Sequence, residues 1–174
     1  MSLVYGTIDQ QLAAIGRLRD PVIDNGNCLF ESVSRQLEDL SFTAHYLRVL
    51  VYQAGKNTPE RYEHLVQDDR TVFQAQMKSI KEDEFRSAES DVLILSILQQ
   101  ELDKKIVLIR HGFKPMHIPD TDPSLGPECI VVIARPGDIP GFTHFDATAL
   151  KPRGLAYFVF YWLNLAANSR LKIL

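Results

Sequence analysis

The chain has 174 residues, close to the roughly 100–200 expected of one domain, with 45% hydrophobic and 24% charged residues, which excludes disordered, collagen-like and coiled-coil classes. Nineteen Lys+Arg against 22 Asp+Glu give a net charge of −3, which offers no general attraction to a phosphate backbone and disfavours nucleic acid as a partner. Two cysteines, Cys28 and Cys129, are too few for a disulfide-stapled secreted scaffold and are usual in a reducing compartment.

The first twenty residues lack a basic start followed by an apolar run, so no secretory signal is expected there. From Cys28 to Leu40, apolar residues at Leu29, Phe30, Val33, Leu37 and Leu40 predict one face of a helix. The same spacing recurs over Ala44 to Ala54, with Gly55 read as its stop, and Thr58-Pro59 opens a third, shorter helix. Residues 67–86 are polar and weakly patterned, fitting a surface helix or a loop. Ser87 to Lys105 predicts a buried helix, apolar nearly all round. Strands follow: Ile106 to Ile109, Lys114 to Ile118, Cys129 to Ala134 and Thr143 to Thr148, with Ala156 to Leu163 a last strand or helix. The longest apolar stretch, Leu155 to Leu163, falls far short of the ~20 residues that span a bilayer. Helices first and strands later is an α+β profile, and a single domain over 1–174, soluble and cytoplasmic, is expected.

The segment Asp24-Asn25-Gly26-Asn27-Cys28 carries the chemistry. Glycine between two asparagines specifies a tight turn, and the helical pattern starts at once, which sets Cys28 at a helix N-terminus. Backbone N–H groups there favour a thiolate, and those of Asn25, Gly26, Asn27 and Cys28 are placed to cradle an oxyanion. Beyond Cys28, Ser32 and Arg35 are of types that suit a cleft wall. The competing reading is a small apolar residue packed under a helix start, which is how Cys129 reads within its apolar run. Of five histidines, His144 has an acid in register: in Thr143-His144-Phe145-Asp146 a strand points residues 144 and 146 to one face, about 7 Å apart along the chain. Asp146 is then expected at Nδ1–H, leaving Nε2 toward the cysteine, with Phe145 anchored in the core.

Taken in order, Asp24-Asn25-Gly26-Asn27-Cys28-Leu29-Phe30 and the late His144-Phe145-Asp146 resemble the ovarian-tumour (OTU) family of cysteine proteases, whose signature is an Asp-Gly-Asn-Cys-Leu/Phe-Phe box and a late His-aromatic-Asp/Asn. Between these motifs His45-Tyr46-Leu47-Arg48 looks like the family's second helix, and Leu102 to Ile109 like its step into the sheet, so the resemblance covers about residues 20 to 148. It implies a papain-type α+β fold, a central, mostly antiparallel sheet flanked by helices. It also implies Cys28 as nucleophile, His144 as general base then acid, and Asp146 as orienting residue. The implied reaction is hydrolysis of the isopeptide bond at the C-terminus of ubiquitin, polyubiquitin or a ubiquitin-like protein through a thioester, with no metal or organic cofactor. One position departs: the family's aspartate three residues before the cysteine is here Asn25, with Asp24 one place earlier as loop support. An inactive ubiquitin-binding module and a polyprotein-processing thiol protease are the alternatives.

A metal site has little support from spacing, since Cys28, His111, His117, Cys129 and His144 form no short pairs. Candidate contacts for ubiquitin's basic tail are Asp68-Asp69, Glu82-Asp83-Glu84 and Glu89/Asp91, and the loop Pro136 to Thr143 is expected to border the cleft. The aromatic run from Tyr157 to Trp162 reads as an added element on the sheet or as a membrane-surface or partner-binding segment.

Overall fold

The computed structural model describes residues 6–66, 69–81, 88–118, 129–137 and 143–151. Its first elements, α1 (Ile8–Ala14) and β1 (Arg17–Asp20), lie in a stretch the sequence patterning left unassigned. Thr7 begins α1 through a capping box with Gln10. Then come α2 (Cys28–Ser34), α3 (Ala44–Asn57), two 3-10 turns at Pro59–Arg61 and Glu63–Val66, α4 (Arg70–Lys81) and α5 (Ala88–Leu102). The strands β2 (Ile106–Arg110), β3 (Met116–Ile118), β4 (Ile130–Pro136) and β5 (Thr143–Leu150) complete a five-stranded sheet of order β1-β5-β4-β2-β3. Among the described strands only β2 and β4 run parallel; the other neighbours are antiparallel. The α+β expectation with a mostly antiparallel central sheet therefore holds.

The branched apolar runs of β2 and β4 have no polar alternation because both faces of these strands are covered. Ile106, Leu108, Ile130 and Val132 join the large core with α2 to α5, while Val107, Ile109, Val131 and Ile133 pack with Leu12 of α1. The α5 helix supplies Leu93, Ile94, Leu95, Ile97 and Leu98, all at most 1% exposed.

Two helix boundaries differ from expectation. The α2 helix ends at Ser34 rather than running to Leu40, which is 92% exposed. Ser34 Oγ donates to Phe42 O at 2.6 Å, and Gln36 turns inward to bond the backbone of Val131, so the chain bends before another helical turn forms. Gly55 lies inside α3 and does not stop it. Its missing side chain is a packing requirement, because a Cβ there would fall 2.3 Å from Met77 Sδ on α4. The expected third helix is the pair of 3-10 turns, and the weakly patterned region contains α4, which buries Phe73, Met77 and Ile80.

The β5 strand pairs with β4 over Thr143–Asp146 and with β1 over Ala147–Leu150. Where β4 and β5 part, side chains take over the backbone partners. Gln36 accepts from Val131 N–H at 2.9 Å and donates to Val131 O at 3.0 Å. Arg17, 6% exposed, donates to Thr148 Oγ1, Gln36 Oε1 and Cys129 O. Each buried polar group here meets a partner, which burial demands. Cys129 is 2% exposed and is not disulfide-bonded, as its core reading required. Among the described residues no helix is long and apolar enough to cross a membrane. Residues 152–174, including the aromatic run, lie outside the described residues.

Candidate active site

The turn before α2 is built from its own side chains. Asn25 Oδ1 accepts the Asn27 N–H at 3.0 Å, closing an Asx turn. Gly26 sits at φ +75°, a backbone geometry that costs other residues about 1–2 kcal/mol. Asn27 precedes α2 as its N-cap, yet its side chain makes no capping bond. It is held instead by Arg48 of α3, whose Nε and Nη2 donate to Asn27 Oδ1 at 3.1 and 2.6 Å. Arg48 is 4% exposed and also donates to Gly26 O and Ile80 O at 3.0 and 2.9 Å, with its guanidinium 4.8 Å over the Phe30 ring. One buried cation thus clamps the turn against two helices. Leu29, Phe30 and Val33 are fully buried, each worth about 1.5–3 kcal/mol, and pin the helix that begins at Cys28.

Opposite stands β5. Phe145 and Ala147 enter the core, and the alternation sends His144 and Asp146 the other way. Both are fully buried. The ring's Nε2 lies 3.0 Å from Asp146 Oδ1, which also accepts Val22 N–H at 3.0 Å. Asp146 Oδ2 accepts from Arg19 at 2.7 Å and from Arg135 at 3.0 Å. Register explains both cations: Arg19 stands opposite Thr148 and Arg135 opposite His144, each a diagonal neighbour of Asp146. Burial alone would raise the Asp146 pKa, but the Val22 amide, Arg135, His144 and Arg19 together outweigh it and hold the carboxyl below its ordinary value. Asp146 is therefore an anion at neutral pH, and its proper partner is a ring with the proton on Nε2.

Nδ1 is then the ring nitrogen on the side of Asp24 and Cys28, so the two nitrogens face the opposite way from the expected geometry. Nδ1 is 3.4 Å from Asp24 Oδ1, an approach without hydrogen-bond geometry, and it has no hydrogen-bond partner. Donor atoms of Asp24, Cys28 and His144 lie within 4.8 Å of one another. The loop that leaves β1 brings Asp24 and Cys28 to β5, and the Val22–Asp146 bond fixes its path.

The structure thus gathers Cys28, His144, Asp146 and Asp24 at one point. Asn25 and Gly26 shape the turn, and of the four amides expected as oxyanion donors that of Asn27 is engaged by Asn25 Oδ1. Ser32 is fully buried and bonds Leu29 O, so it lines no cleft, and Arg35 bridges Glu31 and Asp20. Of the acidic candidates, Asp69 caps the start of α4 and Asp91 is buried; residues 68 and 82–84 and the side chain of Glu89 lie outside the described residues, as does most of the Pro136 to Thr143 loop. His45, His64 and His111 are exposed. Patterning missed Arg19, Arg48 and Arg135. The only signals for the strand pair were the i, i+2 arginines at 17 and 19 and a cation ending the β4 run.

No protein-family model matches the chain, and no curated protein does. Solved structures do. An OTU deubiquitinase from Wolbachia pipientis wMel superposes with a TM-score of 0.56 at 16% identity, covering 84% of this chain and 96% of that one. The OTU domain of OTUD1 gives 0.53 at 19% identity over 81% and 91%, and an OTU domain solved in complex with ubiquitin gives 0.52 at 17% identity over 76% and 69%. With a cysteine at the head of α2, a histidine and aspartate on β5, and these neighbours in common, the chain has the fold of an OTU domain.

Proposed function

We propose that the chain is a thiol hydrolase that cleaves the isopeptide or peptide bond at the C-terminus of ubiquitin or a ubiquitin-like protein, within a single catalytic domain. The observation that carries the reading is the meeting of Cys28 with a histidine whose Nε2 is bound to a buried, cation-stabilised carboxylate. In this mechanism His144 Nδ1 takes the Cys28 proton, and Asp146 stabilises the imidazolium so formed. The thiolate attacks the carbonyl carbon, and the oxyanion is met by backbone amides of the turn that leads into α2. The imidazolium returns its proton to the departing amine, leaving a thioester that water, activated by the same nitrogen, hydrolyses. Asn25 in place of the family's aspartate does not undo the loop, because its Oδ1 accepts the same turn-closing amide that a carboxylate would, and Asp24 supplies a negative charge at the ring.

A ubiquitin bearing a C-terminal electrophile tests this directly. Covalent capture by the parent chain and not by Cys28→Ala is expected, together with cleavage of polyubiquitin. Absence of both reactions in folded protein sinks the reading, and non-covalent binding alone would identify an inactive ubiquitin-binding module. A panel of di-ubiquitins then assigns linkage preference.

A further inference from the structure

The buried Nδ1 of His144 has no hydrogen-bond partner and faces two further donors of different chemistry, the Asp24 carboxylate and the Cys28 sulfur. Sequence spacing hid this group, since its members sit four and 116 residues apart. We infer that Asp24, Cys28 and His144 form a binding site for a single Zn²⁺, and that the ion reversibly shuts the catalytic centre.

Three observations support it. Nitrogen, oxygen and sulfur donors in one cluster match zinc's preference for borderline ligands, with a fourth tetrahedral position left to solvent. Ligands at zinc's usual bond lengths stand about 3.3–3.6 Å apart on a tetrahedron. Nδ1 and Asp24 Oδ1 are already 3.4 Å apart, and all three donors lie within 4.8 Å of one another, so closing on the ion needs a movement no larger than a side-chain adjustment. The rest of the histidine is arranged as a zinc ligand requires. Its other nitrogen is bound to a carboxylate, which fixes the tautomer, and that carboxylate is itself held by Arg19 and Arg135.

Binding releases the thiol proton to solvent and places both the Cys28 sulfur lone pair and the Nδ1 lone pair in bonds to the metal. The nucleophile and its base are then both occupied. No redox change occurs, so a chelator that removes the ion returns the site to its starting state. The ion acts as an inhibitor here, not as a cofactor of the reaction. The inhibitory consequence rests on the hydrolase reading; the binding site does not.

The test separates the two. Co²⁺ added to the folded chain is expected to give one equivalent of tetrahedral visible absorption with a thiolate charge-transfer band, lost on adding Zn²⁺ or EDTA. Cys28→Ala should abolish the charge-transfer band, and Asp24→Asn should weaken Zn²⁺ affinity tenfold or more, with circular dichroism confirming that each variant is folded. Zn²⁺ should block capture by the ubiquitin electrophile, and EDTA should restore it. Absence of the band in folded parent protein, or unchanged Zn²⁺ affinity in Asp24→Asn, overturns the site. A band in a chain that never reacts with ubiquitin upholds the site and overturns the hydrolase; reaction with ubiquitin that Zn²⁺ leaves untouched overturns the inhibition alone.

Discussion

Replacing Asp146 by asparagine changes one atom and exposes the logic of the site. The carboxylate receives N–H donors on both oxygens: Arg19 and Arg135 on Oδ2, Val22 and His144 on Oδ1. A carboxamide satisfies only one side. With its NH₂ toward the arginines, three donor contacts face another donor and the charge pairing is lost. With its NH₂ toward Oδ1's partners, the Val22 amide is orphaned and His144 must accept at Nε2, which puts the ring proton on Nδ1, where a base is needed. Losing one partner of a buried ion pair costs about 3–5 kcal/mol. Arg19 and Arg135 are 39% and 30% exposed and can turn to water, so about 2–4 kcal/mol is expected here. For a chain of this size that lowers Tm by roughly 5–15 °C. The wrong tautomer should cut kcat/KM on a ubiquitin-fluorophore conjugate by about 10²- to 10⁴-fold. Scanning calorimetry and steady-state kinetics check both arms. An Asp146→Asn chain melting within about 2 °C of the parent with unchanged kcat/KM would refute the assignment of the carboxylate and of the ring nitrogens.

Acid should act through the same group: because the folded Asp146 pKa is depressed, its stabilisation is full above about pH 4 and fades as pH falls through the folded value, a loss that Asp146→Asn should not show in acid titrations followed by circular dichroism. At the alkaline end Tyr62, whose hydroxyl donates to Glu101 at 2.6 Å, has its pKa pushed up to about 12 by burial and by that carboxylate. Its contribution is present below about pH 10 and is lost as pH rises through 12, so Tyr62→Phe should flatten the alkaline limb of the stability profile. Arg48→Met leaves Gly26 O, Asn27 Oδ1 and Ile80 O without their charged donor, and should cost about 2–4 kcal/mol and about 10²-fold in kcat, read by denaturant titration and turnover. Gly55→Ala should destabilise by about 1–3 kcal/mol through its clash with Met77, with Met77→Ala in the same chain restoring part of the loss in Tm.

The parts legible in the sequence are those whose cause is local. A turn of Asn25-Gly26-Asn27 and a two-residue strand period place Cys28 and the His144/Asp146 pair without any tertiary information. The arginines act across the chain: Arg48 meets a loop 21 residues earlier and Arg19 meets Asp146 127 residues later, so nothing near either position announces its partner. The β1 strand escaped because an edge strand of four residues, RLRD, with its middle exposed, carries charge where patterning looks for apolar residues. Helical spacing cannot distinguish a glycine that ends a helix from one, such as Gly55, that admits a neighbouring methionine. The ring reversal follows from Val22 and the two cations, which fix where the carboxylate sits before the histidine is oriented.

The ladder that joins β1 to β5, pairing Arg17 with Leu150, also sets the order of events during synthesis. A chain emerging from the ribosome presents Cys28 before His144, and the pairing that seats the strand carrying His144 is complete only after residue 150 is out. Contacts of such sequence separation form late and slowly. On the proposed reading Cys28 therefore lacks its proton acceptor until the sheet closes through β5, and competence follows that closure.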